Sequence, residues 1–197
     1  MDDVATLLAQ GIDVSVIHKL IENNADLKDI AVHSQILLDR GIKVDLVNQW
    51  LGNKTHLNDA LAIIKQGVDL SLIGTSRKVG DLTGLLGAHP NEIVSRIPAD
   101  AKIERWKPDP AKVQEGMKFI WEDVFGNTWR LEMHGPDLNP VLPTRSNAAR
   151  GWVLRVRHKR QYMDADGIFY KDTIGHPFSP NYNPTAINDT HIPIQAP

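Results

Sequence analysis

Along residues 1–75 the apolar positions form a pattern that stops and restarts three times. "LLAQGIDVSVI" (7–17), "LLDRGIKVDLV" (37–47) and "IIKQGVDLSLI" (63–73) each run two aliphatics, a short polar step, a glycine, another aliphatic and a restart with helical spacing. Gly11, Gly41 and Gly67 stand where a helix needs a left-handed residue to end. A second element recurs thirty residues apart, with Asn23, Leu27 and Asp29 answered by Asn53, Leu57 and Asp59. The pattern predicts short amphipathic helices stacked in helix–turn–helix units, a small solenoid. Its unequal glycine spacing, thirty and then twenty-six residues, marks the repeat as degenerate.

Downstream the period changes. Residues 75–110 mix glycine and proline with one short helical stretch, "NEIVSRI", and read as a connection. "DPAKVQEG" opens as a helical turn or two, with Pro110 in the first turn. "MKFIWEDVFGNTWRLEMH" then alternates large apolar and polar residues on either side of Gly126-Asn127, a β-hairpin signal. "GWVLRVRHKRQYMDADGIFYKD" does the same around Asp164 to Gly167. Four or five strands in an antiparallel meander covered by a helix are expected. The fold class is α+β: an N-terminal short-helix repeat domain (1–97), a linker (98–111) and an antiparallel-sheet domain (112–197). Between the hairpins, "GPDLNPVLPTRSNAARG" is too rich in Gly, Pro and Asn for a regular element, and long loops of this kind carry function. The tail "SPNYNPTAINDTHIPIQAP" is stiffened by four prolines and reads as an extended strap that holds His191.

Composition narrows the chemistry. The chain has 197 residues, 42% of them apolar, enough for a core, and no cysteine, which excludes disulfides, thiolate metal sites and cysteine nucleophiles. Its start, "MDDVATLLAQGIDVSV", lacks a basic segment followed by an apolar one, so no export signal and no membrane anchor are expected. The net charge of −2 is unevenly divided: residues 1–100 hold nine Lys/Arg against thirteen Asp/Glu, and residues 101–197 thirteen against eleven. From Leu138 to Met163 there is no acid, while Arg145, Arg150, Arg155, Arg157, Lys159 and Arg160 fall in that window. Such a window suits a polyanion or simply solvates a face.

His134 ends one expected strand and His191 lies in the strap. Arg155 and Arg157 alternate along the next strand and so share a face. Ser146, Asn147, Ser179, Asn181, Asn188 and Thr190 add neutral hydrogen-bonding groups. Two imidazoles, paired guanidiniums and polar donors on a twisted sheet suit cleavage of RNA without a metal, one histidine as base and the other as acid. The bland readings are a strand-end cap for His134, a tail pin for His191 and a solvated sheet surface for the arginines. The histidines show no metal-ligand spacing, and neither a nucleophile elbow, a phosphate loop nor a dinucleotide fingerprint occurs. No metal and no cofactor are expected.

"GMKFIWEDVFGNTWRLEMHGPD", "SNAARGWVLRVRHKRQYMDADGIFY" and "SPNYNPTAINDTHIPI" together resemble the C-terminal toxin domains of bacterial polymorphic toxins, in particular the group called polymorphic toxin type 30, over residues 112–195. The resemblance implies a ribonuclease delivered into competing cells, an RNA substrate, a cognate immunity protein and a larger parent protein. It matches His134 and Asp137 in "HGPD", Arg155 in the central strand, and Asn188, Thr190 and His191 in "NDTHIP". His134, His191 and Arg155 are therefore expected to be catalytic, and Arg157, Asp137, Arg145, Ser179, Asn188 and Thr190 to hold substrate. Two alternatives stay open: a toxin of another activity, such as a DNase or ADP-ribosyltransferase, and a non-enzymatic helical-repeat adaptor. A deaminase is disfavoured by the missing zinc-binding cysteines.

Overall fold

The computed structural model describes residues 2–139 and 145–197. Its front half is helical: α1 Asp3–Ala9, α2 Val14–Glu22, α3 Leu27–Asp39, α4 Val44–Gly52, α5 Leu57–Lys65, a 3-10 turn Leu70–Leu72 and α6 Pro90–Ser95. The three expected glycine stops are present, with φ of +83° at Gly11, +82° at Gly41 and +92° at Gly67. After the first stop the Gly11 N–H donates to the Leu8 carbonyl and the Ile12 N–H to that of Leu7, both at 3.0 Å. The same closure recurs at Gly41 and Ile42. Each stop turns the next aliphatic residue inward, so Ile12, Ile42 and Val68 are buried. Asp13, Lys43 and Asp69 then open the second member of each unit. The units stack, α1 on α3, α3 on α5 and α2 on α4. The third unit is cut short because Gly74, at φ +72°, follows the 3-10 turn almost at once.

The back half is a seven-stranded antiparallel sheet in the order β1-β2-β3-β4-β5-β6, with β7 also paired to β4. Its strands are β1 Lys102–Glu104, β2 Gly116–Glu122, β3 Thr128–His134, β4 Val153–His158, β5 Gln161–Met163, β6 Phe169–Lys171 and β7 Ile192–Pro193. The expected hairpin around Gly126-Asn127 joins β2 to β3. Cross-strand partners share a face, so the register separates two surfaces. One is apolar: Met117, Met133 and Leu154 form a row, and Phe119, Leu131, Val156 and Met163 the next. All seven side chains are buried, each contributing about 1.5–3 kcal/mol. The other face is charged, with rows of Lys118, Glu132 and Arg155 and of Arg130, Arg157 and Tyr162.

Two local expectations are corrected. "DPAKVQEG" is a turn and not a helix: Lys112 N–H donates to the Asp109 carbonyl, and the Asp109 N–H to that of Val113. Pro110 disfavours a helical Asp109, and the Asp109 carboxylate takes the Ala111 N–H instead. The tail is not extended throughout, because α8 spans Pro184–Asp189. Proline is tolerated in the first turn there, and the Asn183 side chain caps the Ala186 N–H. A further short helix, α7, spans Asn147–Arg150.

One buried apolar cluster runs through both halves, from Leu7 to Ile194. Residues 98–111, expected as a linker, supply β1 and the buried Ala101 and Ile103. The C-terminal segment is tied to the front half: Gly87 N–H donates to the Pro193 carbonyl at 2.8 Å, and Gln195 N–H to that of Ala88 at 3.0 Å. Among the described residues no helix is long and apolar enough to cross a membrane.

Candidate active site

His134 is the last residue of β3, and its neighbour on β2 is Gly116. A side chain at that glycine would meet the Trp106 ring at 2.7 Å. Only glycine lets Trp106 lie across the sheet there, where it stacks on His134 with centroids 6.0 Å apart. His134 is buried, and its Nδ1 donates to the Gly135 carbonyl at 2.8 Å.

His191 arrives from the other side. It follows α8 and precedes β7, whose pairing of Pro193 with Val153 brings the tail beside the β4 residue that faces His134. Its Nδ1 donates to the Ile187 carbonyl at 2.8 Å, one turn back. The two imidazoles meet edge to face, centroids 6.1 Å apart and planes at 80°. A carbonyl only accepts, so each Nδ1 carries a proton and each Nε2 of the neutral ring keeps its lone pair. This is a pair of rings held in the tautomer that leaves Nε2 as the basic nitrogen.

Arg155 acts on both rings electrostatically. Burial lowers the pKa of His134, and Arg155 adds to the shift against the Gly135 carbonyl, Glu132 and Asp137. Burial, Arg155 and the charge of His134 lower that of His191 to about 4, against the Ile187 carbonyl and Asp137. The rings thus compete for protons, and protonating one disfavours the other. Arg155 itself lies 3.7 Å from Glu132, which also reaches Lys118 at 3.4 Å, and stacks over Tyr162 at 4.7 Å. Glu132 and Tyr162 hold its guanidinium beside the histidines.

A cleft of about 590 Å³ opens at His191, with Asp137, Arg145, Tyr182 and Asn188 in its walls. Asp137 and the exposed Arg145 thus line the same cleft as His191. Other expected substrate contacts are engaged elsewhere. Thr190 is buried, and its hydroxyl donates to the Ile187 carbonyl at 2.9 Å, fixing the turn that holds His191. The Asn188 side-chain oxygen accepts the Asn147 N–H at 2.8 Å and ties α7 to α8. Ser179 accepts the Asn181 N–H in a surface turn and does not line the cleft. Arg157 lies one row beyond Arg155, paired to Asp172 at 3.0 Å. Trp106, Glu132 and Tyr162 complete the site without having been singled out in the sequence. Glu132 had a signal, since it alternates with His134 on β3, whereas Trp106 lies in the stretch read as a linker.

The arginines share one face and the histidines meet, which a passive sheet module does not require. His158 lies on the opposite face, stacked on Trp129 at 4.1 Å and paired to Asp123 at 3.1 Å. A larger cavity, about 700 Å³, lies between α5 and β2 on the far side of Trp106. It contains neither His134 nor His191. Among the described residues no cluster of three or more His, Asp or Glu side chains is arranged to hold a metal ion.

No curated protein and no solved structure matches the chain. The family described as bacterial toxin 30 matches residues 92–195, which include every strand of the sheet and both histidines. With more than half of its length inside that match, the chain belongs to the bacterial toxin 30 family.

Proposed function

We propose that this toxin domain cleaves RNA by metal-independent transphosphorylation. The observation that carries the reading is the His134–His191 pair, two imidazoles 6.1 Å apart, each held by its Nδ1 on a backbone carbonyl. The cleft is lined by His191, and the reading requires a phosphodiester seated there to reach the buried His134 as well, its ring centroid 6.1 Å from that of His191. His191, with its pKa lowered to about 4, is the base. Its Nε2 takes the proton of the 2′-hydroxyl, whose oxygen attacks phosphorus. The bond from phosphorus to the 5′-oxygen breaks, and His134, whose burial lowers its pKa while the nearby Glu132 favours its proton, protonates the leaving oxygen. The products are a 2′,3′-cyclic phosphate and a free 5′-hydroxyl. Arg155 stabilises the charge that builds on the phosphoryl oxygens. In this reading the chain is the effector of a larger parent protein, acts in the cytoplasm of a competing cell and is restrained by a cognate immunity protein in the producer.

The test is incubation of the full chain with total RNA in EDTA, beside His134→Ala and His191→Ala. Cleavage by the parent, with a loss of about 10²–10⁴-fold in each folded variant, is the expected result. Intact RNA with the parent, or full activity in either variant, rejects the reading.

A further inference from the structure

The register places Arg130 of β3 directly opposite Arg157 of β4. Like charges facing each other across strands destabilise a sheet unless something neutral or negative intervenes. Little does so here. Asp172, the partner of Arg157, is shared with Arg160 at 3.6 Å. Glu132 is already engaged by Lys118 and Arg155. Arg130 forms no ion pair among the described residues. Arg130, Glu132, Arg155, Arg157 and Tyr162 wall a cavity of about 140 Å³, room for a phosphate group. The Tyr162 ring lies under both Arg155 and Arg157, at 4.7 Å and 5.7 Å, and fixes their planes. Neither Arg155 Nε nor Arg157 Nε has a hydrogen-bond partner among the described residues.

We propose that the Arg130–Arg157 pair is a second anion seat, which holds a phosphate of the RNA strand away from the bond being cut. That the ligand is RNA rests on the ribonuclease reading; the seat itself rests on Arg130, which has no ion pair among the described residues, facing an Arg157 whose one carboxylate is shared with Arg160. Arg130 precedes His134 by four residues on one strand, roughly 13 Å along it. That separation exceeds one nucleotide step, so one phosphate cannot occupy both places. A strand running from the histidines over Arg155 to Arg130 crosses the charged face, and a dinucleotide falls short of its far end.

The experiment compares the full chain with Arg130→Gln and Arg130→Lys. Its probes are a short 2′-O-methyl RNA, which binds but lacks the attacking hydroxyl, a 2′-O-methyl dinucleotide and inorganic phosphate. Arg130→Gln is expected to weaken oligomer binding about tenfold and to reduce the slope of log Kd against log salt by roughly 0.7–1. Dinucleotide binding stays unchanged, and Arg130→Lys keeps most of the slope. Thermal stability of Arg130→Gln is expected at or above that of the parent, because a like-charge pair has been removed. An unchanged slope, an equal loss on the dinucleotide, or no oligomer binding by the parent overturns the seat. Inorganic phosphate bound as tightly as the oligomer overturns the strand and leaves a free-anion site. A parent that binds the oligomer yet cleaves no RNA rejects the ribonuclease reading instead, and the salt slope still decides the seat.

Discussion

Burial, Arg155 and His134 all work to strip the proton from His191, and its folded-state pKa of about 4 has two measurable consequences. In the unfolded chain a histidine titrates near 6.5, so between that pH and about 4 the unfolded state binds a proton that the folded state refuses. Stability is therefore fully present above pH 6.5 and falls as the pH drops through the window. The melting temperature of the parent is expected to decline from pH 7 to pH 4, and His191→Asn to flatten that decline. The same shifts set the activity profile. With both histidines lowered, the form carrying one proton peaks on the acid side of pH 6.5, so kcat/KM is expected to reach its maximum there. Arg155→Gln removes the cation that lowers both rings and is expected to move this maximum toward higher pH while cutting kcat about 10²–10³-fold. An optimum above pH 7.5 in the parent would contradict the pair as assigned. Residue identity made His134, His191 and Arg155 candidates in advance, because few side chains move protons or hold phosphate, and that the two histidines meet is visible only in the fold. The supporting roles of Thr190 and Asn188 were not legible: a hydroxyl that binds substrate and one that closes a turn look alike in sequence.

Among the elements, the β2–β3 hairpin shows what the pattern could and could not reveal. Seven residues alternate on each side of Gly126-Asn127, enough to declare a strand period and a face. β1 and β7 have only three and two residues, too few to show any period, and were set in the sheet by tertiary pairing alone. The helical stops were legible because a left-handed residue strongly demands glycine. The hairpin turn rests on Asp123, whose carboxylate accepts the Phe125 and Asn127 N–H groups, both at 2.9 Å. Desolvation opposes its charge, but the hydrogen bonds from Asn127, Phe125 and His158 hold its pKa at about 2. Its contribution is present above the ordinary carboxylate range and is lost as pH falls from about 4 to about 2. Asp123→Ala is expected to lower the melting temperature by about 2–4 °C at pH 7, with the gap closing at pH 2. His134 stands at the opposite end of the same hairpin, six residues along β3 from Thr128, so RNA cleavage at 25 °C should stay within about twofold of the parent.

For the whole molecule, the question is what the helical half does for a site it does not line. Charge and period drew a boundary between the halves, yet the sequence could not show that one buried cluster crosses it or that the last residues return to the front half. Gly87 and Ala88 lie upstream of the family match and hold Pro193 and Gln195, and the Gln195 side chain adds a bond to the Gly87 carbonyl at 2.8 Å. The held segment begins two residues after His191. If this brace keeps the imidazole at its carbonyl, removing it should affect chemistry more than fold. A chain ending at Ile194 loses both Gln195 bonds but keeps β7 and Ile194. It is expected to melt only a few degrees below the parent, to lose about tenfold or more in kcat, and to show a His191 pKa shifted up toward 6.5 when titrated by NMR. A truncated chain with unchanged kcat and His191 still near 4 would mean that the α8 turn alone positions the histidine, leaving the helical half to contribute core and not geometry.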